Sequence, residues 1–372
     1  MGIERTGYRL RLVCDAEYCR NHLGKGLLEV DGDSLSRCEW AARDVGWRLG
    51  GDTVLCTDCN AAETRRERLS ANEQSDSAQK MTKLTQPGKW HGGKFHLAKR
   101  IIELMPPHVH YVETHFGMGS VLLQKDFEGV SEVVNDIDGR LTAFWKALQS
   151  PTSFEAFCRL IDATPLSQIE WRQANTTMAA VTTGKSLAER GAAFFINNRQ
   201  SRQGLGKDFA TLSRNRTRRG MNEQVSSWLT AIEGLPEIHE RLKRVVILND
   251  DALKVIRQQD GPNTLFYCDP PYLAETRSSG EYEMTYSDHV RLLALLGRSV
   301  AVDASRFDDA VETLGPLLEW QRKGKFLLSG YPSSLYYETA GMNTWHRVDI
   351  QIDNKASSAK TKEIKTVCMW AN

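Results

Sequence analysis

From residue 87 onward the chain alternates two hydrophobic rhythms. Short apolar runs that end in polar residues, "HYVETHF", "SEVVNDI", "RVVILND", "TLFYCDP" and "KFLLSGY", predict β-strands. Amphipathic runs of helical spacing, such as "HLAKRIIELM" and "DHVRLLALLG", lie between them. Strands alternating with helices predict an α/β fold: a mostly parallel, Rossmann-like sheet with helices on both faces. One connection, about residues 155–245, is long enough to be an insertion. Later, Phe307, Val311, Leu314 and Leu318 recur at helical spacing in "FDDAVETLGPLLEW", which predicts an added helix.

Ahead of residue 87 the pattern changes. Residues 60–86 are polar, charged and almost free of large apolar groups, a linker composition. The chain therefore divides into a small module over 1–62, a linker over 63–86 and a large domain over 87–372. Five of the eight cysteines fall within the first 59 residues. "VCDAEYCR" and "LCTDCN" pair Cys14 with Cys19 and Cys56 with Cys59, and two such pairs can give four thiolates to a tetrahedral, structural Zn²⁺. A segment this short makes a thin core, so a metal staple makes physical sense. Cys38 and His22 are the alternative ligands, and scattered buried thiols are the competing reading.

Charge and hydropathy narrow the class. The formal net charge of the 372-residue chain is +1, so nothing global attracts nucleic acid and any basic surface must be local. No run of 18 apolar residues occurs, and the N-terminus lacks the apolar centre of a signal peptide. The expectation is a cytoplasmic protein without a membrane partner, in which cysteines are not used for disulfides.

The chemistry sits at strand ends. "LFYCDPPY" runs an apolar strand into Asp269, Pro270, Pro271 and Tyr272. Proline gives no N–H to a sheet, so the turn is rigid and holds Asp269 and Tyr272 just past the strand, where open α/β sheets bind ligands. "YVETHFGMGSV" places Glu113 and then Gly117 and Gly119 after another strand, where a backbone can approach a ligand closely. "VVNDID" ends a third in Asp136 and Ile137, an acid suited to ribose hydroxyls. "ILNDDA" ends a fourth in Asp250 and Asp251, and "KWHGGK" upstream offers Trp90 and Lys94. Any one of these is an ordinary turn; five in this order are not.

A basic stretch bears on the substrate. Arg199, Arg202, Lys207, Arg214, Arg216, Arg218 and Arg219 lie between 195 and 220 against one acid, Asp208. Arginines and lysines would hold phosphates there, while Arg202, Gln203 or Asn198 would read base edges. A solvated charged loop is the plainer alternative.

With these residues in hand, the chain from about 87 to 372 resembles the DNA adenine-N6 methyltransferases of the Dam type, phage-type members in particular. "KWHGGK" is similar to that family's first S-adenosylmethionine motif, "ETHFGMGS" to its glycine loop, "NDID" to its ribose acid and "CDPPY" to its catalytic motif. The resemblance implies S-adenosylmethionine as methyl donor, double-stranded DNA as partner and an extruded adenine as acceptor. It implies that Trp90, Lys94, Glu113, Gly117, Gly119, Asp136, Ile137, Asp251 and Asp269 hold the donor. It also implies that the 155–245 insertion recognises the target. The family's Pro-Phe after the glutamate is replaced here by Thr114-His115. An RNA base or a protein amide is the alternative substrate, and a DNA-binding relative with a decayed donor site the alternative class.

Overall fold

The computed structural model describes residues 8–13, 27–32, 35–45, 47–50, 53–55, 84–90, 92–179, 184–210, 212, 215–276, 284–307, 311–353 and 364–372. They fall into two compact units, Met1–Thr82 and Lys83–Asn372.

In the first unit, β1 (Tyr8–Val13) pairs antiparallel with β2 (Leu27–Gly32), helix α1 (Leu35–Asp44) follows, and β3 (Arg48–Gly50) and β4 (Thr53–Leu55) form a second hairpin. Leu12, Cys38, Ala42 and Trp47 are its buried residues among those described. Cys14, Cys19, His22, Cys56 and Cys59 lie outside the described residues.

The second unit opens earlier than composition suggested. Leu84 N donates to the Leu123 carbonyl at 3.2 Å, and Gln86 accepts from Ser120 Oγ at 2.6 Å, so the last residues read as linker pack on the large domain. Then come α2 (Ala98–Glu103), β5 (His110–Glu113), β6 (Ser131–Asn135) and α3 (Gly139–Gln149). The insertion is helical: α4 (Pro151–Asp162), α5 (Gln168–Ala179), α6 (Leu187–Gln200), a two-residue ladder of β7 (Thr217–Arg218) and β8 (Met221–Asn222), α7 (Glu223–Glu233) and α8 (Leu235–Leu242). The sheet resumes with β9 (Val245–Leu248), α9 (Ala252–Gln259), β10 (Thr264–Cys268) and α10 (Tyr286–Leu296). It closes with a short α11 (Gly315–Leu318), β11 (Lys325–Gly330), α12 (Ser334–Met342), β12 (His346–Asp353) and β13 (Ile364–Ala371).

The seven strands run in the order β12-β13-β11-β10-β5-β6-β9. Five, β11 to β9, are parallel, and β13 is antiparallel to both of its neighbours. Alternate side chains serve two cores, as a sheet covered on both faces requires. On β10, Leu265 and Tyr267 join the cluster of Phe144, Trp145 and Phe195, whereas Phe266 and Cys268 join that of Val290, Leu293 and Trp370. From β5, the middle of the five parallel strands, the chain builds outward through β6 and β9, then returns to the other side of β5 as β10 and β11. Strand order therefore reverses between β5 and β10, the place at whose carboxyl ends open α/β sheets bind ligands.

One expectation is corrected. The stretch with Phe307, Val311, Leu314 and Leu318 is not a single helix: a 3₁₀ turn over Val311–Leu314 gives way to the one turn of α11. Pro316 stands at the start of that turn, where a missing N–H breaks no helical bond and a new turn begins. Phe307, Leu314 and Leu317 are the residues it buries.

Candidate active site

The strand ends converge. Asn135, at the end of β6, donates from Nδ2 to the carbonyls of Thr114 (3.1 Å) and Asp250 (3.0 Å) and accepts from Asp250 N at 2.9 Å. One buried carboxamide thus fixes the exits of β5, β6 and β9 side by side. Asn249 donates to the carbonyls of Asp136 and Ile137 at 2.7 and 3.1 Å, which holds the ribose-type acid loop against β9.

Asp136 is aimed at the glycine loop. Its Oδ2 accepts from Gly117 N at 2.9 Å and its Oδ1 from Asp138 N at 3.0 Å. Burial pushes its carboxyl up to about 6, with these two N–H groups pulling the other way. Gly117 has φ +52°, and a Cβ there would stand 2.7 Å from Trp90 Nε1. Only glycine lets the loop pass so near the indole. Trp145 Nε1 donates to the Gly117 carbonyl at 2.9 Å, so the turn is held from below as well. Gly119 follows at φ +66°. Ile137 is 66% exposed beside Asp136, and Asp251 caps α9 by accepting from Lys254 N at 3.1 Å.

Across the switch point, Lys94 Nζ lies 2.7 Å from Asp269 Oδ1 and 2.8 Å from Oδ2, and donates to the Gly92 carbonyl at 2.9 Å. The same ammonium stands 4.7 Å from the centre of the Tyr272 ring. Burial would lower this lysine, but the charge of Asp269 and the Tyr272 hydroxyl outweigh it and hold Lys94 above its ordinary value. Burial pushes the Tyr272 phenol up to about 12, against the pull of Lys94. Glu113, the last residue of β5, is buried and accepts from Tyr111 OH at 2.9 Å; burial holds its carboxyl well above the usual range. His115, which stands in the Thr-His departure, shares a 2.9 Å hydrogen bond with Thr114 Oγ1, and burial lowers it to about 4, so it is neutral at ordinary pH.

A residue that sequence reasoning missed completes the group. Ser329, 0% exposed at the end of β11, donates from Oγ to Asp269 Oδ1 and accepts from Tyr272 OH at 3.4 Å. The register explains it: Leu328 pairs with Cys268, so the next residues of the two strands, Ser329 and Asp269, emerge side by side. Tyr331, two residues on, sets its ring edge-on to Tyr272 at 4.6 Å. His289, by contrast, is buried within α10 and bonds to Tyr336 OH at 2.8 Å, a structural placement.

The basic stretch is less uniform than its composition. Arg199 turns inward and donates from Nη2 to Ser227 O and Oγ at 2.6 and 2.9 Å. Arg202 pairs with Asp208 at 3.2 Å and Arg216 approaches Glu223 at 3.9 Å. Arg219 forks onto Glu233 at 2.8 and 3.1 Å from the β7–β8 turn. Lys207 and Arg218 are exposed, and Arg214 lies outside the described residues. Asn198, expected to read bases, is instead buried with its carboxamide bonded to Lys89.

Among the described residues, no group of three or more His, Cys, Asp or Glu could hold a metal ion, and no helix is long and apolar enough to cross a membrane.

A switch-point crevice carrying an acid-Pro-Pro-Tyr turn, a glycine loop and a ribose-type acid is the layout of an S-adenosylmethionine-dependent methyltransferase. The profile of the D12 class N6 adenine-specific DNA methyltransferases matches residues 90–177 and 210–309, just over half of the chain. The chain belongs to that family. Among solved structures it is similar to a SAM-dependent methyltransferase from Agrobacterium tumefaciens, at 9% identity and a TM-score of 0.29, over 74% of this chain and 59% of that one. No curated protein matches it.

Proposed function

We propose that the protein transfers a methyl group from S-adenosylmethionine to the N6 amine of adenine in a specific duplex DNA sequence, on a base rotated out of the helix. The observation that carries this reading is the Lys94–Asp269–Ser329–Tyr272 group at the switch point, one strand away from the Asp136–Gly117 cradle. The residues fit the donor. Asp136 offers a carboxylate to two ribose hydroxyls, Ile137 an exposed apolar face to a purine ring, and Gly117 a backbone without a side chain between them and Trp90. When bound, the donor supplies a methyl already activated on a sulfonium, so the protein contributes alignment and electrostatics.

The amine of adenine is a poor nucleophile because its lone pair is delocalised into the ring. Accepting hydrogen bonds from both N–H groups draws the nitrogen towards sp³ geometry and turns its lone pair out of the ring. Asp269 and the Pro270 carbonyl are the acceptors. A carboxylate oxygen has about two acceptor positions. Oδ1 accepts from Ser329 and Oδ2 from Lys94, so each oxygen keeps one position for the amine while the two donors fix the carboxylate plane. Tyr272, fixed by Ser329 at its hydroxyl and by Tyr331 at its edge, provides the ring on which an extruded base stacks. Stacking and edge contacts offset the few kcal/mol that unpairing a base costs.

Lys207 and Arg218 are the exposed cations best suited to phosphates, and Arg202, Arg216 and Arg219 reach DNA only by sharing or leaving an acid. Cys14, Cys19, Cys56 and Cys59 of the first unit are read as a structural Zn²⁺ site on their spacing alone. The test is transfer of labelled methyl to duplex DNA, structured RNA and bulk protein in parallel. Label confined to adenine of duplex DNA supports the reading; label in RNA or protein alone overturns it.

A further inference from the structure

Asn198 and Lys89 both lie outside the two segments that match the family profile, and each uses the other fully. Asn198 is the third residue from the end of α6 and is 3% exposed. Its Oδ1 accepts from Lys89 N at 2.7 Å, and its Nδ2 donates to the Lys89 carbonyl at 2.7 Å and the Gly204 carbonyl at 3.3 Å. A carboxamide meets the backbone of one residue as a neighbouring strand would. Its orientation is fixed by that partner, because a reversed amide would set donor against donor. Lys89 answers through its side chain: Nζ donates to the carbonyls of Arg199 (2.8 Å) and Ser201 (3.0 Å). These stand at the end of α6, where carbonyls lack helical partners and a positive charge is favourable. The approach is close enough to exclude side chains: a Cβ on Gly204, at φ +77°, would sit 2.7 Å from the Lys89 carbonyl.

Two parts of the site are therefore joined at one point. On one side the chain leads from Lys89 to Trp90, which lies against Gly117, and on to Lys94, which holds Asp269. On the other it leads from Asn198 to Arg202 and Lys207.

We propose that Asn198 is a positioning residue for the donor side of the site, although it belongs to the helix that opens the basic stretch. The inference rests on the methyl-transfer reading above. Removing the carboxamide leaves the N–H and carbonyl of Lys89 without their partner, so that only the Nζ bonds still tie Lys89 to the end of α6.

Calorimetry with S-adenosylhomocysteine and DNA-free protein tests it. Binding by the wild type is scored first and judges the methyltransferase reading; the variants judge the clamp. Asn198→Ala is expected to bind this probe about tenfold more weakly. It should raise the KM for the donor by a similar factor, keep kcat at saturating donor within about twofold of wild type, and methylate the same DNA positions. Lys89→Ala removes only the Nζ bonds and keeps the backbone pairing, so a weaker loss, about threefold, is expected; this variant decides the matter should Asn198→Ala not fold. Unchanged donor affinity in the folded variants overturns the proposal. So does a change in the DNA positions methylated by Asn198→Ala with donor affinity intact, which would return Asn198 to base reading.

Discussion

The carboxyl edge of the sheet and the basic stretch of the insertion were both conspicuous in the sequence, yet folding treats them differently. At the sheet edge, residues far apart in the chain arrive together because Asp269 and Ser329 stand at the ends of neighbouring parallel strands and the loop ahead of α2 brings Lys94 against them. Lys94, Asp269, Ser329 and Tyr272 meet within hydrogen-bond or ring-contact distance. In the basic stretch, charges adjacent in sequence are dispersed. Arg199 goes inside, and Arg202, Arg216 and Arg219 meet Asp208, Glu223 and Glu233. A linear window showed one acid; the fold brings in two more from α7. A motif anchored to strand ends reports tertiary position, whereas a run of like charge reports only what its own segment contains.

The largest effects are expected at the rigid sheet edge. Asp269→Ala should lower kcat by at least about 10²- to 10³-fold while the donor still binds, because the amine loses its acceptor. Methyl transfer near the wild-type rate would dismiss the assigned role. Ser329→Ala should lower kcat by about 10- to 100-fold with little change in donor affinity, since it frees both the carboxylate and the ring it aligns. An unaltered kcat would make the serine a packing residue.

Next comes the donor cradle. Asp136→Ala should weaken donor binding about tenfold or more, because charge-assisted hydrogen bonds to ribose are lost. The pH dependence has a defined sign. The carboxylate is the form that accepts from two hydroxyls, and its carboxyl is raised to about 6, so donor affinity should fall as pH drops through about 6 and level off above it. Asp136→Asn should be flat over that range. Calorimetry at several pH values measures both, and a wild-type profile as flat as that of the asparagine variant would move the ribose contact elsewhere.

The smallest effect belongs to the dispersed end. Arg218→Ala should reduce the slope of log affinity for DNA against log salt by about 0.9, the value of one phosphate contact. Arg219→Ala should change it less, because Glu233 already holds that guanidinium. Equal slopes for all three proteins would leave the stretch a solvated loop.

Much of the frame was legible for a physical reason. The five parallel strands are short, apolar on both faces and end in polar residues, so their pattern survives without tertiary knowledge. β12 was not anticipated: "HRVDIQID" alternates polar and apolar residues at a sheet edge and resembles a surface segment. β13 was not anticipated either, because its partners, β11 and β12, set its direction only after folding. Ser329 carried no local signal; a lone serine after an apolar run gains meaning from the register that sets it beside Asp269. The burial of Asn198 was illegible for the same reason, since the backbone it bonds to is 109 residues away.

The central claim is that the switch-point crevice methylates adenine N6 in DNA. Its most direct test is nucleoside analysis of plasmid DNA from cells expressing the wild-type protein or Asp269→Ala, in a host lacking adenine methylation of its own. The account predicts N6-methyladenine in the first DNA and none above background in the second. Absence of the modified base with well-folded wild-type protein, or its equal presence with Asp269→Ala, would contradict it.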